Sequence, residues 1–268
     1  MKPFHIFLVA LTLSLVTRLT TPASTYKVGD IVTEVTNLVD RATGQPVPLS
    51  RLEGHVLFID FFAHWCPVCR AAAPQILRDI GDWYKTRDGN PQGVPVLHIG
   101  ANLQADNSTA NRNATTTFIE TYRIPLTIQD TSRRLQGRFG PTSGQPTFVI
   151  INGVTNSPSH RPWQLLYARF SYQDSTQSRP IDAFRAAIDS VEPGPPFLHG
   201  FSVQPDGSWE FTVSGAARRP LLLEWTETLA PPDWRPLGNE IPADTTFPYR
   251  LPAASNSPGG FLRVRPTR

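Results

Sequence analysis

Continuous apolar runs of strand length recur through the first two thirds of the chain. They cover residues 55–62 (HVLFIDFF), 94–101 (VPVLHIGA) and 146–151 (PTFVII), and they predict strands that are buried on both faces of a sheet. The third run ends in Asn152-Gly153, a turn signal, and residues 163–170 (WQLLYARF) predict the returning strand of a hairpin.

Apolar residues at helical spacing fall between and after these strands. They predict helices over residues 67–84, 114–123 and 180–191, and Pro74 is expected to kink the first of them. The order of strand, helix, strand, helix, hairpin and helix indicates an α/β domain that is built on a mixed sheet.

The segments on either side of this pattern differ from it. Residues 28–53 predict two short strands around a turn at Thr43-Gly44, and residues 192–196 (EPGPP) are typical of a stiff linker. Residues 197–268 contain short strand-like runs separated by turn signals, which predict a small all-β domain, either a sandwich or a barrel. We therefore expect an α/β domain over residues 26–191, followed by a linker and a second domain.

The first 25 residues have the features of a secretory signal peptide. Lys2 provides a positive charge, residues 6–16 (IFLVALTLSLV) are apolar, and small and polar residues lead to a cleavage site near Ala23 to Thr25. The apolar stretch is too short for a membrane span, which needs about 20 residues. We expect a soluble protein that is exported to the periplasm or the extracellular space.

The charge pattern does not favour binding to nucleic acid. The chain has 268 residues and a net charge of +3, from 25 basic and 22 acidic residues. Nearly all of the basic residues are arginines, which are scattered and lack the interleaved aromatic residues of a nucleic-acid-binding stripe. We interpret them as a solvated surface, and no nucleic-acid partner is expected.

The chain has two cysteines, Cys66 and Cys69, and exported proteins commonly contain disulfides. A disulfide between them would close a very small loop and would stabilise the fold little, so a chemical role is the better explanation. A zinc site is the alternative. It requires further ligands, but the six histidines are dispersed and no second cysteine pair exists, so no metal and no cofactor are expected.

The position of the two cysteines suits thiol-disulfide exchange. A strand ends just before Cys66 and a helix begins at Pro67, so the partial positive charge of the helix N-terminus favours a thiolate there. We expect Cys66 to be the exposed nucleophile that forms a mixed disulfide with a partner. Cys69, one turn further and more buried, is expected to attack back and release that partner.

The stretch IDFFAHWCPVCRAAAP resembles the active-site segment of the thioredoxin superfamily, and its surroundings resemble the exported TlpA/ResA-like branch. Residues 38–62 are similar to the hairpin and central strand of that branch, and residues 144–153 (GQPTFVIING) to its cis-proline loop, strand and turn. The resemblance covers about residues 28–191. It implies a thioredoxin-like fold, with a central mixed sheet flanked by helices, and a protein-disulfide oxidoreductase activity.

The resemblance also implies which residues bind a client protein. Trp65 matches the tryptophan that precedes the nucleophile, and Pro67 follows Cys66. Pro146 matches the cis-proline that faces the disulfide, and the backbone of Gln145 is expected to pair with a bound peptide by strand addition. For Trp65, ordinary packing is the alternative role.

Two further residues have candidate roles in proton transfer. Asp60 matches the buried acid that, in the family, handles the proton of the second cysteine, here Cys69. A lone carboxylate inside FIDFF is costly to bury without a role, which favours this interpretation. The alternative is a strand-end residue that is paired in the core. His64 either favours the Cys66 thiolate when protonated or is a surface residue.

Three hypotheses about the redox role of the cysteine pair remain open. Val68 offers the sulfur no hydrogen bond or charge, and a helix terminus lowers the thiol pKa by only about 1.5 units, which favours a moderate reductant. A disulfide oxidase or isomerase is the second reading, and a binding protein that uses the fold as a scaffold is the third. For a reductase, the resemblance implies a membrane thiol-disulfide electron donor. Relatives that reduce apocytochrome c carry a glutamate where this chain has Ala72, which favours a different client.

The C-terminal residues 197–268 loosely resemble a small β module at the ends of exported bacterial proteins. Such a module binds a surface, a glycan or a protein, or acts as a spacer.

Overall fold

The computed structural model describes residues 25–172, 180–214, 220–238, 247–251 and 260–267. Nearly all of the predicted signal peptide lies outside these residues. None of the helices in the described part of the chain is long and apolar enough to cross a membrane.

A five-stranded mixed sheet forms the centre of the N-terminal part, with the order β3-β2-β1-β4-β5. Its strands are β1 (Val56–Phe62), β2 (Val96–Asn102), β3 (Leu126–Gln129), β4 (Thr147–Asn152) and β5 (Leu165–Phe170). β1 is parallel to β2 and antiparallel to β4, β3 is parallel to β2, and β5 is antiparallel to β4. All seven residues of β1 are buried, as the apolar run predicts for a central strand.

Four α-helices accompany the sheet: α1 (Pro67–Ile76), α2 (Asp82–Lys85), α3 (Thr109–Thr121) and α4 (Ile181–Asp189). A π-helical turn, Leu77–Gly81, joins α1 to α2, so the helical stretch has the predicted extent. Pro74 lies inside α1 and has no N–H for the helical hydrogen-bond ladder. The wider π-helical turn begins three residues after it.

The two faces of β1 are covered by different parts of the chain, because successive side chains of a strand point to opposite faces. Leu57, Ile59 and Phe61 pack with buried residues of the N-terminal segment. Val56 and Phe58 pack in a second cluster with residues of α1 and α4, and Phe62 packs in a third with residues of α1 and α3. By alternation, Asp60 lies on the same face of β1 as Val56, Phe58 and Phe62, and it is the one carboxylate of the strand.

Two sequence expectations need correction here, and one strand is additional to those predicted. β3 was not predicted, since it is only four residues long. α3 begins at Thr109 rather than at residue 114, because Ser108 caps it by accepting a hydrogen bond of 3.1 Å from the backbone N–H of Asn111. Residues 28–53 form a turn as expected, but the flanking strands reduce to isolated bridges. Val39 pairs with Pro46 across the turn, Ile31 pairs with Gln164, and Asp40 pairs with Ile128.

The segment before β1 contains 3₁₀ helices in place of the expected strands. They cover Thr33–Asn37 and Leu49–Arg51. The turn between them has Gly44 at a φ of +69°, a conformation that glycine adopts without steric cost.

Two three-stranded antiparallel sheets follow in the C-terminal part, with the orders β10-β7-β6 and β11-β8-β9. Their strands are β6 (Phe197–Val203), β7 (Trp209–Ser214), β8 (Leu221–Thr226), β9 (Arg235–Pro236), β10 (Phe247–Leu251) and β11 (Phe261–Pro266). Phe211 and Val213 of one sheet pack with Leu221 and Leu223 of the other. This shared core makes the region sandwich-like. Residues 192–196 have no regular secondary structure, and the domain boundaries stay a prediction.

Candidate active site

Cys66 and Cys69 form a disulfide at the start of α1, with their Cα atoms 5.3 Å apart. Cys66 is the N-cap of the helix, and its Sγ accepts a hydrogen bond of 3.1 Å from the backbone N–H of Cys69. Pro67 occupies the first helical position, where its missing N–H costs nothing and its φ suits the helix. The local sequence therefore places one sulfur directly at the positive end of a helix.

The two sulfurs are nearly equally buried, contrary to the expectation that Cys66 is exposed. Cys66 is 3% exposed and Cys69 is 2% exposed, because both pack with Phe62, Ala63 and other apolar residues. The exposed side chains are those around the disulfide. Trp65, which precedes the N-cap Cys66, faces solvent, as do Pro67 and Val68 on the first turn of α1.

The predicted cis-proline loop is brought to the disulfide from far along the chain. The Gln145–Pro146 peptide bond is cis, and the carbonyl oxygen of Gln145 lies 3.8 Å from Sγ of Cys66. β4 begins directly after this loop, so its anchor is the strand next to β1. The arrangement leaves a backbone carbonyl beside the sulfur that is expected to react.

Trp65 is tethered rather than packed. Its side chain is 51% exposed, and its indole N–H donates a hydrogen bond of 2.7 Å to Oε1 of Gln104. Gln104 itself is held by Asn102, which donates to its carbonyl oxygen over 2.7 Å. Half of the indole is thus presented to solvent beside the disulfide, which does not fit a role limited to packing.

His64 is half-buried, and its Nδ1 lies 3.1 Å from Oγ1 of Thr115. Partial burial lowers the pKa of His64, Asp106 opposes this shift and Arg70 adds to it. A lowered pKa favours the neutral imidazole, so the reading of His64 as a cation beside the thiolate is not supported.

Asp60 lies inside the protein on the face of β1 that α1 covers. Burial raises the pKa of its carboxyl group to about 7, because no opposite charge compensates for the loss of hydration. Its Oδ1 has no hydrogen-bond partner among the described residues. The neighbouring residue on this face, Phe62, packs in the same cluster as Cys69, so the carboxyl group and the second sulfur occupy the same layer of the fold.

His98 is a buried neighbour of Asp60 that sequence reasoning did not single out. Its Nε2 lies 4.0 Å from Oδ2 of Asp60, which is too long for a hydrogen bond, and its ring meets Phe58 edge-on. Burial lowers the pKa of His98 to about 4. One signal for it was available: His98 interrupts the apolar run VPVLHIGA of β2, just as Asp60 interrupts the run of β1.

Two other residues near the disulfide were missed by the sequence analysis. Arg133 and Gln136 hold the loop that precedes Pro146 through hydrogen bonds to its backbone. Neither belongs to a motif, and they are separated from the cysteines by more than sixty positions. Within the described ranges, no group of three histidine, cysteine or acidic residues is close enough to hold a metal ion.

The fold and the site together define a class. A mixed sheet of this order, with a Cys-x-x-Cys disulfide at the start of the helix that follows the central strand and a cis-proline loop beside it, is a thioredoxin-like fold with a redox-type cysteine pair. This assignment rests on the topology and the geometry described above.

Comparison with known proteins found partial similarities. No protein-family model matches the chain. A 110-residue segment is 31% identical to a protein of Oryza sativa subsp. japonica named "Probable nucleoredoxin 3", and it covers 41% of this chain and 21% of that relative. The chain therefore spans about a fifth of the length of this curated relative.

The chain is also similar to solved structures, at low sequence identity. One is a secreted Mycobacterium tuberculosis disulfide oxidoreductase, with 19% identity, 58% of this chain and 96% of that chain covered, and a TM-score of 0.39. Another is StoA from Bacillus subtilis, with 14% identity, coverages of 56% and 93%, and a TM-score of 0.37.

Proposed function

We propose that this protein is an exported thiol-disulfide oxidoreductase that reduces disulfides of client proteins. One observation carries the proposal: Sγ of Cys66 caps α1, accepts the N–H of Cys69 and lies 3.8 Å from the Gln145 carbonyl. A helix terminus stabilises the thiolate, which is the reactive form. The partial likeness to a nucleoredoxin supports a redox role.

The reaction proceeds in two exchanges. The Cys66 thiolate attacks one sulfur of a client disulfide, forms the Cys66–client disulfide and releases the other client sulfur as a thiolate. Cys69 then loses its proton to the Asp60 carboxylate and attacks Sγ of Cys66. This step forms the Cys66–Cys69 disulfide and releases the second client sulfur, so the client gains the two electrons that the protein loses.

The client is bound beside the disulfide. Trp65 and Pro67 present exposed apolar surface on one side of Cys66. Gln145 and Pro146 lie on the other side, where the Gln145 backbone pairs with an extended client segment by strand addition.

The oxidised protein requires a dithiol donor for the next cycle, and the proposal assigns this role to a membrane thiol-disulfide protein. Export through an N-terminal signal peptide places the reaction in the periplasm or outside the cell, where client disulfides form. For the C-terminal sheets the proposal keeps two roles, binding to a surface, a glycan or a protein, and spacing of the catalytic domain.

Two cysteine variants test the mechanism with insulin as the client disulfide and dithiothreitol as the reductant. Cys66→Ser is expected to abolish the catalysed reduction. Cys69→Ser, reduced beforehand and freed of dithiothreitol, is expected to accumulate with insulin a covalent mixed disulfide that non-reducing electrophoresis and mass spectrometry detect. Reduction by Cys66→Ser at the wild-type rate would support the alternative of a scaffold with an inert disulfide.

The direction of electron flow is tested by the reduction potential of the pair, followed by Trp65 fluorescence in thiol buffers. A reduction potential of about −270 mV is expected for a reductant, whereas a potential of about −120 mV would make the protein an oxidant instead.

A further inference from the structure

The loop of residues 142–145 is fixed by one guanidinium group. Nη1 of Arg133 donates to the carbonyl oxygens of Thr142 and Gly144, over 3.1 Å and 3.4 Å, and Nη2 donates to Oε1 of Gln145 over 3.1 Å. Two backbone carbonyl groups of this loop and the side chain of its last residue are thus bound to the same planar group. Only arginine presents several donors in such a rigid fork.

Gln136 makes further hydrogen bonds to the same loop. It is fully buried, accepts a hydrogen bond of 3.1 Å from Nη1 of Arg133, and donates to the carbonyl of Gly144 over 2.6 Å. Its Nε2 also lies 3.1 Å from Oγ1 of Thr147, the first residue of β4. The loop is therefore tied to the sheet at one end and to Arg133 at the other.

Arg133 is itself held in place by a tight turn. The carboxylate of Asp130 accepts the backbone N–H groups of Leu135 and Gln136, over 3.0 Å and 2.7 Å, and the N–H of Arg133 donates to the carbonyl of Asp130. Arg133 has a φ of +55°, which is costly for a residue other than glycine and persists only when the surroundings impose it. The guanidinium is thus held by the turn independently of a client.

The side-chain hydrogen bonds of Arg133 go to neutral groups, while its charge acts on Asp130, where it partly offsets the rise in pKa that burial causes. These hydrogen bonds all go to carbonyl or amide oxygens, and within the described ranges no carboxylate lies within ion-pair distance of the guanidinium. Arg133 holds backbone in a defined orientation.

We propose that Arg133 is a positioning residue for the docking of client peptides: it preorganises the Gln145 loop so that the Gln145 backbone faces both Cys66 and an incoming strand. The proposal rests on the proposed function, because it assigns a role in client binding at the same site. A loop that is ordered before binding spares the client the entropy of ordering it, which appears as affinity.

The experiment compares three variants with two substrates. Arg133→Gln removes the fork, Arg133→Lys keeps the charge without the fork, and Arg134→Gln removes the charge of the adjacent, exposed arginine as a matched control. Each variant is assayed for KM and kcat with insulin, and for the rate at which dithiothreitol reduces the Cys66–Cys69 disulfide. Thermal unfolding is followed in parallel.

Arg133→Gln is expected to raise KM for insulin about tenfold. The rate at which dithiothreitol reduces the Cys66–Cys69 disulfide is expected to change less than about twofold, because this small thiol does not dock on the Gln145 loop. Arg133→Lys is expected to keep most of the defect, because an ammonium group lacks the fork. Arg134→Gln is expected to match the wild type.

Three results would overturn the proposal while leaving the proposed function intact. They are a wild-type KM in Arg133→Gln, full rescue by lysine, which would make charge rather than position responsible, and an equal loss with both substrates, which would indicate a purely structural role. If Arg133→Gln does not fold, the lysine variant alone decides by the same KM criterion. A wild-type protein that does not reduce insulin would instead refute the proposed function.

Discussion

Nε2 of His98 lies 4.0 Å from Oδ2 of Asp60 inside the protein, and burial moves the pKa values of the two side chains in opposite directions. The pKa of Asp60 rises to about 7 and that of His98 falls to about 4, because desolvation disfavours the charged form of each group. Between these two values both side chains are neutral. In that pH range the pair is an uncharged neighbour contact and not an ion pair, and above it the Asp60 carboxyl group ionises beside a neutral imidazole.

The shifted pKa values of Asp60 and His98 give the free energy of unfolding two opposite pH dependences. The folded pKa of Asp60 exceeds its unfolded value of 3.8, so the free energy of unfolding falls as pH rises from about 4 to about 7, by up to about 4 kcal/mol. The folded pKa of His98 is below its unfolded value of 6.5, so the free energy of unfolding rises between about pH 4 and 6.5. The two slopes largely cancel in the wild type.

Single substitutions are expected to expose each slope. In Asp60→Asn only the His98 slope remains, so stability is expected to increase with pH from about 4 to 6.5. In His98→Gln only the Asp60 slope remains, so stability is expected to decrease from about pH 4 to 7. Urea unfolding at several pH values measures both. Parallel pH profiles in the two variants and the wild type would contradict the assignment, because they would mean that folding leaves both pKa values unshifted.

The proposed proton acceptor has a kinetic signature. Only the ionised Asp60 carboxylate accepts the Cys69 proton, so the rate of client release is expected to rise with pH around the Asp60 pKa of about 7. Asp60→Asn is expected to remove this inflection and to lower the rate at pH 7.5 about 100-fold. Stopped-flow fluorescence gives the pH–rate profile. An inflection that persists near pH 7 in Asp60→Asn would assign it to another group.

Trp65 is expected to affect client binding more than stability. Its indole is half-exposed and has one tether, Gln104, so Trp65→Ala is expected to cost about 1 kcal/mol of stability or less. The same change is expected to raise KM for insulin severalfold, because an exposed aromatic surface is lost beside Cys66. Gln104→Ala, which removes only the tether, is the matched control and should give a smaller effect on KM. A loss of stability above about 3 kcal/mol would indicate a packing role instead.

The C-terminal sheets contain a buried carboxylate that is expected to stabilise them. Glu224 of β8 accepts hydrogen bonds from Nε of Arg263, over 2.6 Å, and from Nε and Nη2 of Arg265, both over 3.1 Å. Glu224→Gln is expected to lower the stability of this region by about 2 kcal/mol, since it removes the negative charge to which the guanidinium groups of Arg263 and Arg265 donate. Arg235→Gln, which breaks an exposed pair with Asp233, is the control and should cost less than about 1 kcal/mol. Thermal unfolding of the full chain checks both, and equal effects would mean that burial of Glu224 does not matter.

Local sequence signals were sufficient for much of the fold and for the reactive pair. The buried strands β1, β2 and β4 follow from their apolar runs, and the helix start at Pro67 from the motif around Cys66. β3 was missed because a four-residue strand carries too little periodicity. The polar first turns of α3 carry no apolar helical pattern, because their helical state depends on the Ser108 cap rather than on an apolar face.

The sequence by itself determined the chemistry of this protein: a cysteine pair at the start of a helix, a carboxylate in a buried strand and a proline loop with a resemblance to a known family. Tertiary structure alone decided which groups meet. Cys66 and Gln145 are 79 positions apart, and the partnership of Arg133 with that loop and of His98 with Asp60 depends on strand order and packing. Hydrophobic burial is readable from local pattern, whereas a hydrogen bond or an electrostatic contact requires two specific atoms at one distance. That distance exists only after the chain has folded.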